Sequence, residues 1–409
     1  MATGRLTEDV YAGADARLAA ADARVAADYP GEPAGRQPVH TVYVPADRYH
    51  GDLVADWGQL AVAVLTEHGD QLALEPEVAG RVAAKLRDEP IEDLRIDFED
   101  GYGHPGDDAE DAAALAAGRV LAASVAAGTA PPFTGIRFKS FERATRRRGI
   151  RTLDLFLGGL LAEGGLPAGF VLTLPKVTAV EQVEAAVEVL AALEKAYGLT
   201  PGALRFEVQV ETPQSILAAD GTVAVSRIVR AARGRCSGLH YGTYDYSAGL
   251  GISAEYQRMD HPAADFAKQF MQVAAAGTGV RLSDGSTNRL PVGDRDAVLA
   301  GWSEHLRLVR RSLEHGFYQG WDLHPHQLPT RYAATYAFFR EGFPAAAGRL
   351  RAYTERADSG ILDEPATAQA LATYLVRGLD CGALDAPEVR ELSGLDRAAL
   401  DQHVRRLAS

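Results

Sequence analysis

The sequence has very little cysteine: two residues, Cys236 and Cys381, in a chain of 409. They form no Cys-x-x-Cys pair and have no metal-finger spacing, so neither a disulfide framework nor a structural zinc site is expected. A chain without disulfides is typical of a reducing compartment, and we expect the protein to be cytoplasmic.

Positive charge and long apolar runs are also scarce. The formal net charge is −13, whereas nucleic acids and anionic membranes favour proteins rich in Lys and Arg. No apolar run approaches the ~20 residues that cross a bilayer, and residues 1–25 carry acids and lack the apolar core of a signal peptide. We therefore expect neither a nucleic-acid partner nor a membrane partner.

What the sequence does have is an alternation of short apolar runs with longer helical patterns. The apolar runs are eight in number: 40–46, 94–100, 135–141, 170–177, 204–212, 236–244, 279–285 and 318–325. Strands that alternate with helices indicate a parallel β/α fold, and eight strands close a TIM barrel. The alternative, an open doubly wound sheet, predicts a glycine-rich turn after the first strand, where this sequence reads PADRYHGD. The predicted fold is therefore a TIM (β/α)8 barrel.

Helical patterns without strands flank the barrel region. The sequence predicts an N-terminal helical extension over 1–39, a TIM-barrel catalytic domain over 40–328 and a C-terminal helical region over 329–409. The predicted C-terminal helices are 329–345, 346–357, 364–379 and 386–407.

The C-terminal region is expected to serve as a lid or an oligomer contact. Leu371, Tyr374 and Leu375 lie on one apolar stripe, so we predict a homo-oligomer, although the stripe could equally pack on its own barrel.

Charged residues stand at the predicted strand ends, where TIM barrels gather their catalytic groups. In chain order they are Asp97, Glu99, Asp100, Arg137, Lys139, Lys176, Glu211, Asp245 and His324. Each could instead form an ordinary salt bridge, and His324 could be a satisfied core histidine, so the argument rests on their joint order.

The period of two along a strand sorts these side chains. Glu207, Gln209 and Glu211 share the face of the fifth strand that points into the barrel. Several inward carboxylates require a countercharge, for which Mg²⁺ is the natural choice and Mn²⁺ a substitute. Arg137 supplies a second, permanent positive charge suited to a carboxylate or a developing enolate oxygen.

Seven motifs, in order over about residues 40–328, resemble the citrate lyase β-subunit-like superfamily, which includes malyl-CoA lyases and HpcH/HpaI-type aldolases and has malate synthases as distant relatives. The motifs are VYVPADR, IDFEDGYG, GIRFKSF, LTLPKV, VQVETPQSI, GTYDYSAGLGI and WDLHPHQL. The resemblance implies an Mg²⁺-dependent carbon–carbon lyase or aldolase. Such an enzyme acts through a metal-stabilised enolate of a 2-oxo acid, such as pyruvate, or of an acyl-CoA thioester.

The resemblance also implies roles for individual residues. Glu211 and Asp245 would be the metal ligands, and Arg137 would bind the substrate oxygen. Asp97 and Glu99 would hold metal-bound waters and, with Arg137, form the catalytic set. We expect Arg137 to matter for turnover more than for folding.

The remaining substrate contacts follow from the same resemblance. The SAGLG turn after Asp245 would offer backbone N–H groups to a substrate carboxylate. Lys176, Tyr246 and Ser247 complete the predicted substrate site.

Three departures from the family pattern leave the substrate open. Lys139 stands where the family has asparagine, and GTYDY is closer to malate synthases. No motif identifies an acid or base from the C-terminal region, for which Asp363, Asp380 and Asp385 are candidates. An acyl-CoA condensing enzyme, a thioesterase and a non-catalytic ligand-binding barrel remain alternatives.

Overall fold

The computed structural model describes residues 4–33, 35–355 and 364–405. Eight short strands form, one at each of the predicted apolar runs. They are β1 (His40–Pro45), β2 (Asp93–Asp97), β3 (Phe133–Arg137), β4 (Leu172–Leu174), β5 (Phe206–Val210), β6 (Cys236–Tyr241), β7 (Arg281–Ser283) and β8 (Gly320–Asp322).

The eight strands form one parallel sheet in the order β7-β6-β5-β4-β3-β2-β1-β8. The two edge strands of this sheet meet, because Ser283 pairs in parallel with Gln319, just before β8. The Asp284 N–H also donates to the Gln319 carbonyl at 2.8 Å. The sheet closes on itself, and the predicted TIM barrel is confirmed.

Helices surround the barrel and extend it at both ends of the chain. Those between strands are α2 (Leu53–His68), α3 (Pro76–Asp88), α4 (Asp107–Ala127), α5 (Arg146–Leu161), α6 (Val180–Ala196), α7 (Ala224–Ala231), α8 (Thr243–Gly249), α9 (Pro262–Ala275) and α10 (Arg295–Glu314). The flanking helices are α1 (Glu8–Asp28), α11 (Leu328–Glu355), α12 (Pro365–Asp380), α13 (Ala386–Ser393) and α14 (Arg397–Arg405). Within the described ranges, no helix combines the length and the apolar character that crossing a bilayer requires.

Strand β5 shows how the barrel separates apolar from polar side chains. Its outward residues, Phe206, Val208 and Val210, are buried in the apolar core. Glu207 alternates with them and points inward, where its carboxylate pairs with Arg95 of β2 at 2.8 Å. The barrel interior therefore holds paired charges, and the apolar core lies between the sheet and the helices.

The chain between α1 and β1 crosses the base of the barrel, where the strands begin. We call its described residues, 29–33 and 35–39, the base strap. The Gly31 N–H donates to the Gly277 carbonyl at 2.8 Å.

Further contacts tie the base strap to the last strands. The guanidinium of Arg281 donates to the carbonyls of Gly35 at 2.7 Å and Arg36 at 2.5 Å. The amide of Gln37 donates to Gln319 at 3.1 Å. The segment that precedes the first strand is thereby fixed to β7 and to the residue before β8.

The C-terminal helices differ from their predicted boundaries in two places. α11 continues through the predicted break after residue 345 although Pro344 lies inside it. Phe343 and Ala347 on either side are buried in a cluster shared with α12, and this packing outweighs the lost N–H donor. The predicted helix 386–407 is instead α13 and α14, because Gly394 adopts a left-handed φ of 74° that ends α13.

The apolar stripe predicted as an oligomer contact is used within the chain. Leu375 is buried and Leu371 is half-buried in the α11–α12 cluster. The Tyr374 hydroxyl lies 2.7 Å from the Phe338 carbonyl and 2.8 Å from that of Phe339. The stripe therefore packs on its own chain, and the homo-oligomer remains a prediction that this stripe no longer supports.

Candidate active site

The carboxyl ends of β2 to β5 meet the start of α8 at the mouth of the barrel. Direct contacts join six predicted site residues here: Asp97, Glu99, Arg137, Lys176, Glu211 and Asp245. Asp97 and Arg137 end neighbouring strands and are partners in the strand register. Parallel strands thus place at one rim the residues that the sequence separates.

Arg137 and Asp97 form a buried bidentate pair. Arg137 donates through Nε to Oδ1 and through Nη2 to Oδ2 of Asp97, both at 2.7 Å. The same two oxygens accept the N–H groups of Glu99 at 3.0 Å and Gly101 at 2.9 Å. All four acceptor positions of Asp97 are used. Asp97 was predicted to hold a metal-bound water, but it has no free oxygen lone pair for one. Asp97 instead positions Arg137.

Lys176 bridges three acids at the mouth. Its ammonium lies 2.6 Å from Glu99, 2.7 Å from Asp100 and 3.5 Å from Asp245. Burial alone would lower the pKa of Lys176, but the carboxylates of Glu99 and Asp100 raise it, so the ammonium remains charged. The Lys176 ammonium therefore offsets the repulsion between the acids that follow β2.

The backbone at Lys176 is strained. Its φ is +49°, in the left-handed region that side-chain-bearing residues rarely adopt. Its N–H donates to Oε1 of Glu211 at 2.7 Å while its ammonium reaches the acids. One unusual backbone conformation therefore serves two contacts, which is typical of functional sites.

Glu211 is a buried carboxyl of the site whose pKa is raised. It is 2 % exposed, and its oxygens accept the Lys176 N–H and the Gln209 amide, at 3.0 Å from Nε2. Burial raises its pKa to about 8, and the carboxylates of Glu99 and Asp245 add to the rise. Glu211 therefore lies beside two other acids without a charged hydrogen-bond partner.

Tyr43 belongs to the site although it was not among the predicted residues. The guanidinium of Arg137 lies 4.9 Å from the Tyr43 ring centroid, and the Tyr43 hydroxyl donates to Glu207 at 3.4 Å. Tyr43 thus supports the Arg137 guanidinium from within the barrel. The signal was present in HTVYVP, where Thr41 and Tyr43 alternate with apolar residues.

Tyr246 and Ser247 lie apart from these contacts. Both are buried, and the Tyr246 ring packs on Tyr241 with centroids 5.6 Å apart. The predicted SAGLG turn is the end of α8, and its N–H groups are used internally, as in Gly251 to Ala248 at 2.9 Å and Ile252 to Ser247 at 3.0 Å. The expected backbone cradle for a carboxylate is therefore not formed, because the helix consumes its donors.

The remaining predicted groups have structural partners. Lys139 is buried and pairs with Glu110 at 2.7 Å. His324 accepts the His326 N–H at 3.1 Å and caps a short turn. Asp380 pairs with Arg397 at 2.6 Å, and Asp385 caps α13.

The third acid candidate from the C-terminal region, Asp363, lies outside the described residues. The other two, Asp380 and Asp385, have the structural partners given above.

The site chemistry fits a hard divalent cation only in part. Among the described residues, no three or more His, Cys, Asp or Glu side chains form a ready metal cage. Glu211 nevertheless accepts only uncharged donors beside two acids, and Asp245 is 46 % exposed with a long contact to Lys176. An all-oxygen donor pair of this kind suits Mg²⁺ better than Zn²⁺.

Comparison with known proteins gives a family. The family DUF6986, described as a domain of unknown function, matches residues 18–407. The chain belongs to the DUF6986 family. No curated protein matches the sequence.

Solved structures share the DUF6986 fold at low sequence identity. A citrate lyase from Burkholderia xenovorans LB400 has a TM-score of 0.57 and 19% identity, covering 89% of this chain and 98% of its own. CitE from Mycobacterium tuberculosis has a TM-score of 0.52 and 19% identity, covering 84% and 98%. The malate synthase of Haloferax volcanii has a TM-score of 0.51 and 15% identity, covering 91% and 99%. The resemblance to this superfamily is thereby confirmed at the level of fold.

Proposed function

We propose that this DUF6986 protein is an Mg²⁺-dependent carbon–carbon lyase or aldolase that acts on a 2-oxo acid or an acyl thioester through an enolate. The proposal rests on the barrel mouth, where Glu211 and Asp245 provide oxygen ligands beside the fixed guanidinium of Arg137. M. tuberculosis CitE, which shares the fold, has been crystallised with magnesium, acetoacetate and coenzyme A.

The single observation that carries the proposal is the environment of Glu211. A buried carboxyl beside Glu99 and Asp245, with a pKa raised to about 8, requires a proton or a cation. Bound there, Mg²⁺ would supply positive charge to the oxygen that becomes negative when the carbon–carbon bond breaks.

The residues of the chain have distinct roles in this proposal. The Nη1 of Arg137 has only long contacts, to Glu99 at 3.4 Å and to Gln209 at 3.5 Å. A substrate carboxylate or enolate oxygen would accept a hydrogen bond from this group. Asp97 fixes the plane of the Arg137 guanidinium. Lys176 neutralises Glu99 and Asp100 and offers a second positive charge to an anionic substrate.

A second candidate is a condensing enzyme that joins an acyl-CoA thioester to a 2-oxo acid. The GTYDY motif, which is closer to malate synthases than to the lyases, favours it, and the malate synthase of Haloferax volcanii shares the fold over 91% of the chain. The two candidates share the enolate and differ in whether the carbon–carbon bond forms or breaks.

Enolate formation can be measured without knowledge of the full reaction. In D₂O, proton exchange at the methyl groups of pyruvate and acetyl-CoA would be followed by NMR with Mg²⁺ and with EDTA. We expect Mg²⁺-dependent exchange, lost in Glu211→Gln and kept in Glu188→Gln, an exposed glutamate of α6. Glyoxylate is then added as an acceptor: a condensation product with the pyruvate enolate indicates the aldolase, and one with the acetyl-CoA enolate indicates the condensing enzyme.

Metal binding is tested separately. Isothermal titration of Mg²⁺ should give a binding heat that Glu211→Gln abolishes and Glu188→Gln retains. A wild-type protein with neither an Mg²⁺ heat nor exchange of either compound would contradict the proposed chemistry and leave the non-catalytic ligand-binding barrel.

A further inference from the structure

A cavity lies at the base of the barrel, at the end opposite the candidate active site. Its volume is about 750 Å³, and its wall includes the strand starts at Phe133 and Arg281 and the strap residues Arg36 and Pro38. This volume is in the range of sites that enclose small organic molecules.

Two arginines in the cavity wall have no carboxylate partner among the described residues. Arg281 uses two N–H groups on the strap carbonyls of Gly35 and Arg36, out of the five that a guanidinium carries. Arg205 is exposed, and its guanidinium makes neither a hydrogen bond nor an ion pair with any described residue.

The positive charges repel one another. Burial lowers the pKa of Arg281, and the nearby charges of Arg377 and Arg205 lower it further, whereas the acids Glu32 and Asp380 act in the opposite direction. Such a cluster is stabilised by an anion placed among its members.

The other charges in the wall are already paired within the protein. Arg95 pairs with Asp93 and with Glu207, and Arg36 pairs with Glu89 at 2.9 Å. The wall holds four arginines, Arg36, Arg95, Arg205 and Arg281, and two acids, Asp93 and Glu207, so its formal charge is positive although the net charge of the chain is −13.

The rest of the cavity wall is suited to the apolar part of an organic ligand. Phe133, Leu166, Phe170 and Leu199 contribute apolar surface. His240 also lines the cavity, and its Nδ1 is buried without a hydrogen-bond partner among the described residues. The protein thus leaves a polar group of this wall unused, and such groups are rare in folded proteins.

We propose that the base cavity binds a small organic anion, with its charged group between Arg205 and Arg281 and its apolar part against Phe133 and Phe170. This site is separate from the mouth and does not depend on the proposed reaction. Catalytic groups of TIM barrels lie at the opposite end, so the base site is a binding site and not a second active site.

Phenyl phosphate is a suitable probe because it has both a charged and an apolar part. We expect isothermal titration to show binding to one site, tighter than that of inorganic phosphate, and a loss of about tenfold in affinity for Arg205→Gln and for Arg281→Gln. Benzoate, titrated in parallel, shows whether the wall prefers a phosphate or a carboxylate.

Two controls separate the base from the mouth. Arg147→Gln removes an exposed arginine of the first turn of α5 at the mouth end, and Arg137→Lys alters the candidate active site; neither should change the affinity. Arg281 also holds the strap, so Arg205→Gln, which breaks no fold contact, is the decisive variant. Equal affinity in Arg205→Gln, loss of binding in Arg137→Lys, or no binding heat up to about 10 mM probe would overturn the proposal.

Discussion

Arg137 and Asp97 face each other across two neighbouring strands and share two hydrogen bonds of 2.7 Å. The pair is buried, with side chains 7% and 2% exposed. The guanidinium is thereby fixed in one plane, and its Nη1 is left with two longer contacts, to Glu99 at 3.4 Å and to the Gln209 side-chain oxygen at 3.5 Å.

Replacing Arg137 with Lys should lower both the rate and the stability. Lysine keeps the charge and loses the planar fork, so the exchange rate should fall about 100–1000-fold. Asp97 loses a bidentate partner in a buried place, so the free energy of unfolding should fall by about 1–3 kcal/mol. The sequence alone led us to expect little change in melting temperature, and the buried pair is the reason for the revision. NMR exchange and thermal melting of one variant measure both quantities, with Arg147→Lys as the exposed control.

Two substitutions of Lys176 separate the effect of its charge from the effect of its backbone strain. Lys176→Met removes the ammonium and keeps the strained φ of +49°, whereas Lys176→Gly removes the ammonium and relieves the strain. Both variants should lose activity. Lys176→Gly should be more stable than Lys176→Met by about 1 kcal/mol in urea unfolding. Equal stabilities would show that the backbone conformation at 176 carries no strain.

Glu194 gives the clearest pH dependence of stability. Its carboxylate, 3% exposed, accepts two N–H bonds from Arg235 at 2.6 and 2.8 Å and the N–H groups of Gly202 and Leu204. Burial alone would raise the pKa of Glu194, but the Arg235 hydrogen bonds and backbone donors lower it from 4.5 to about 2. The stabilisation is therefore complete above about pH 4.5 and lost as the pH falls toward 2.

Glu194→Gln should therefore destabilise the protein at pH 7 by about 2–3 kcal/mol, and the difference from wild type should shrink below about pH 4.5. Denaturant unfolding at several pH values measures it. Glu188→Gln, on the exposed face of the same helix, should track the wild type throughout. A Glu194→Gln difference that stayed constant down to pH 2 would contradict the lowered pKa.

Gly135 marks the closest approach of two neighbouring segments of the barrel wall. A Cβ at this position would lie 1.6 Å from the Val171 carbonyl oxygen. Gly135→Ala should therefore destabilise the protein by more than about 3 kcal/mol or prevent folding. Gly80→Ala, in an exposed stretch of α3 with nothing within 4 Å, should stabilise it by up to about 1 kcal/mol. Soluble yield and thermal melting compare the two alanine variants directly.

The sequence predicts the strands because each is a short apolar run between helical patterns. The break predicted after 345 does not occur, and the break at Gly394 was not predicted. Burial on both sides carried α11 past Pro344, and a single left-handed glycine divided the last predicted helix. Both helix boundaries depend on how tertiary packing compares with the helix propensity of single residues, and a local sequence pattern does not contain that comparison.

The site residues were predicted as a set, but their pairings were not. The motif order placed Asp97, Arg137, Lys176 and Glu211 at strand ends, and the structure joins them there. The pairing of Asp97 with Arg137 depends on the register of β2 and β3, which the sequence does not show. The other two hydrogen bonds of Asp97 come from the N–H groups of Glu99 and Gly101 in the turn that follows β2. The positive φ of Lys176 could not be predicted either, because a positive φ is usually recognised in a sequence by a glycine.

The base strap has a consequence for how the protein is made. Its carbonyls are held by Arg281, 245 positions later in the chain. At synthesis rates of about 5–20 residues per second, the strap waits on the order of 10–50 s before its anchor leaves the ribosome. The base strap is therefore synthesised before the first strand, but its contacts with Arg281 are among the last to form.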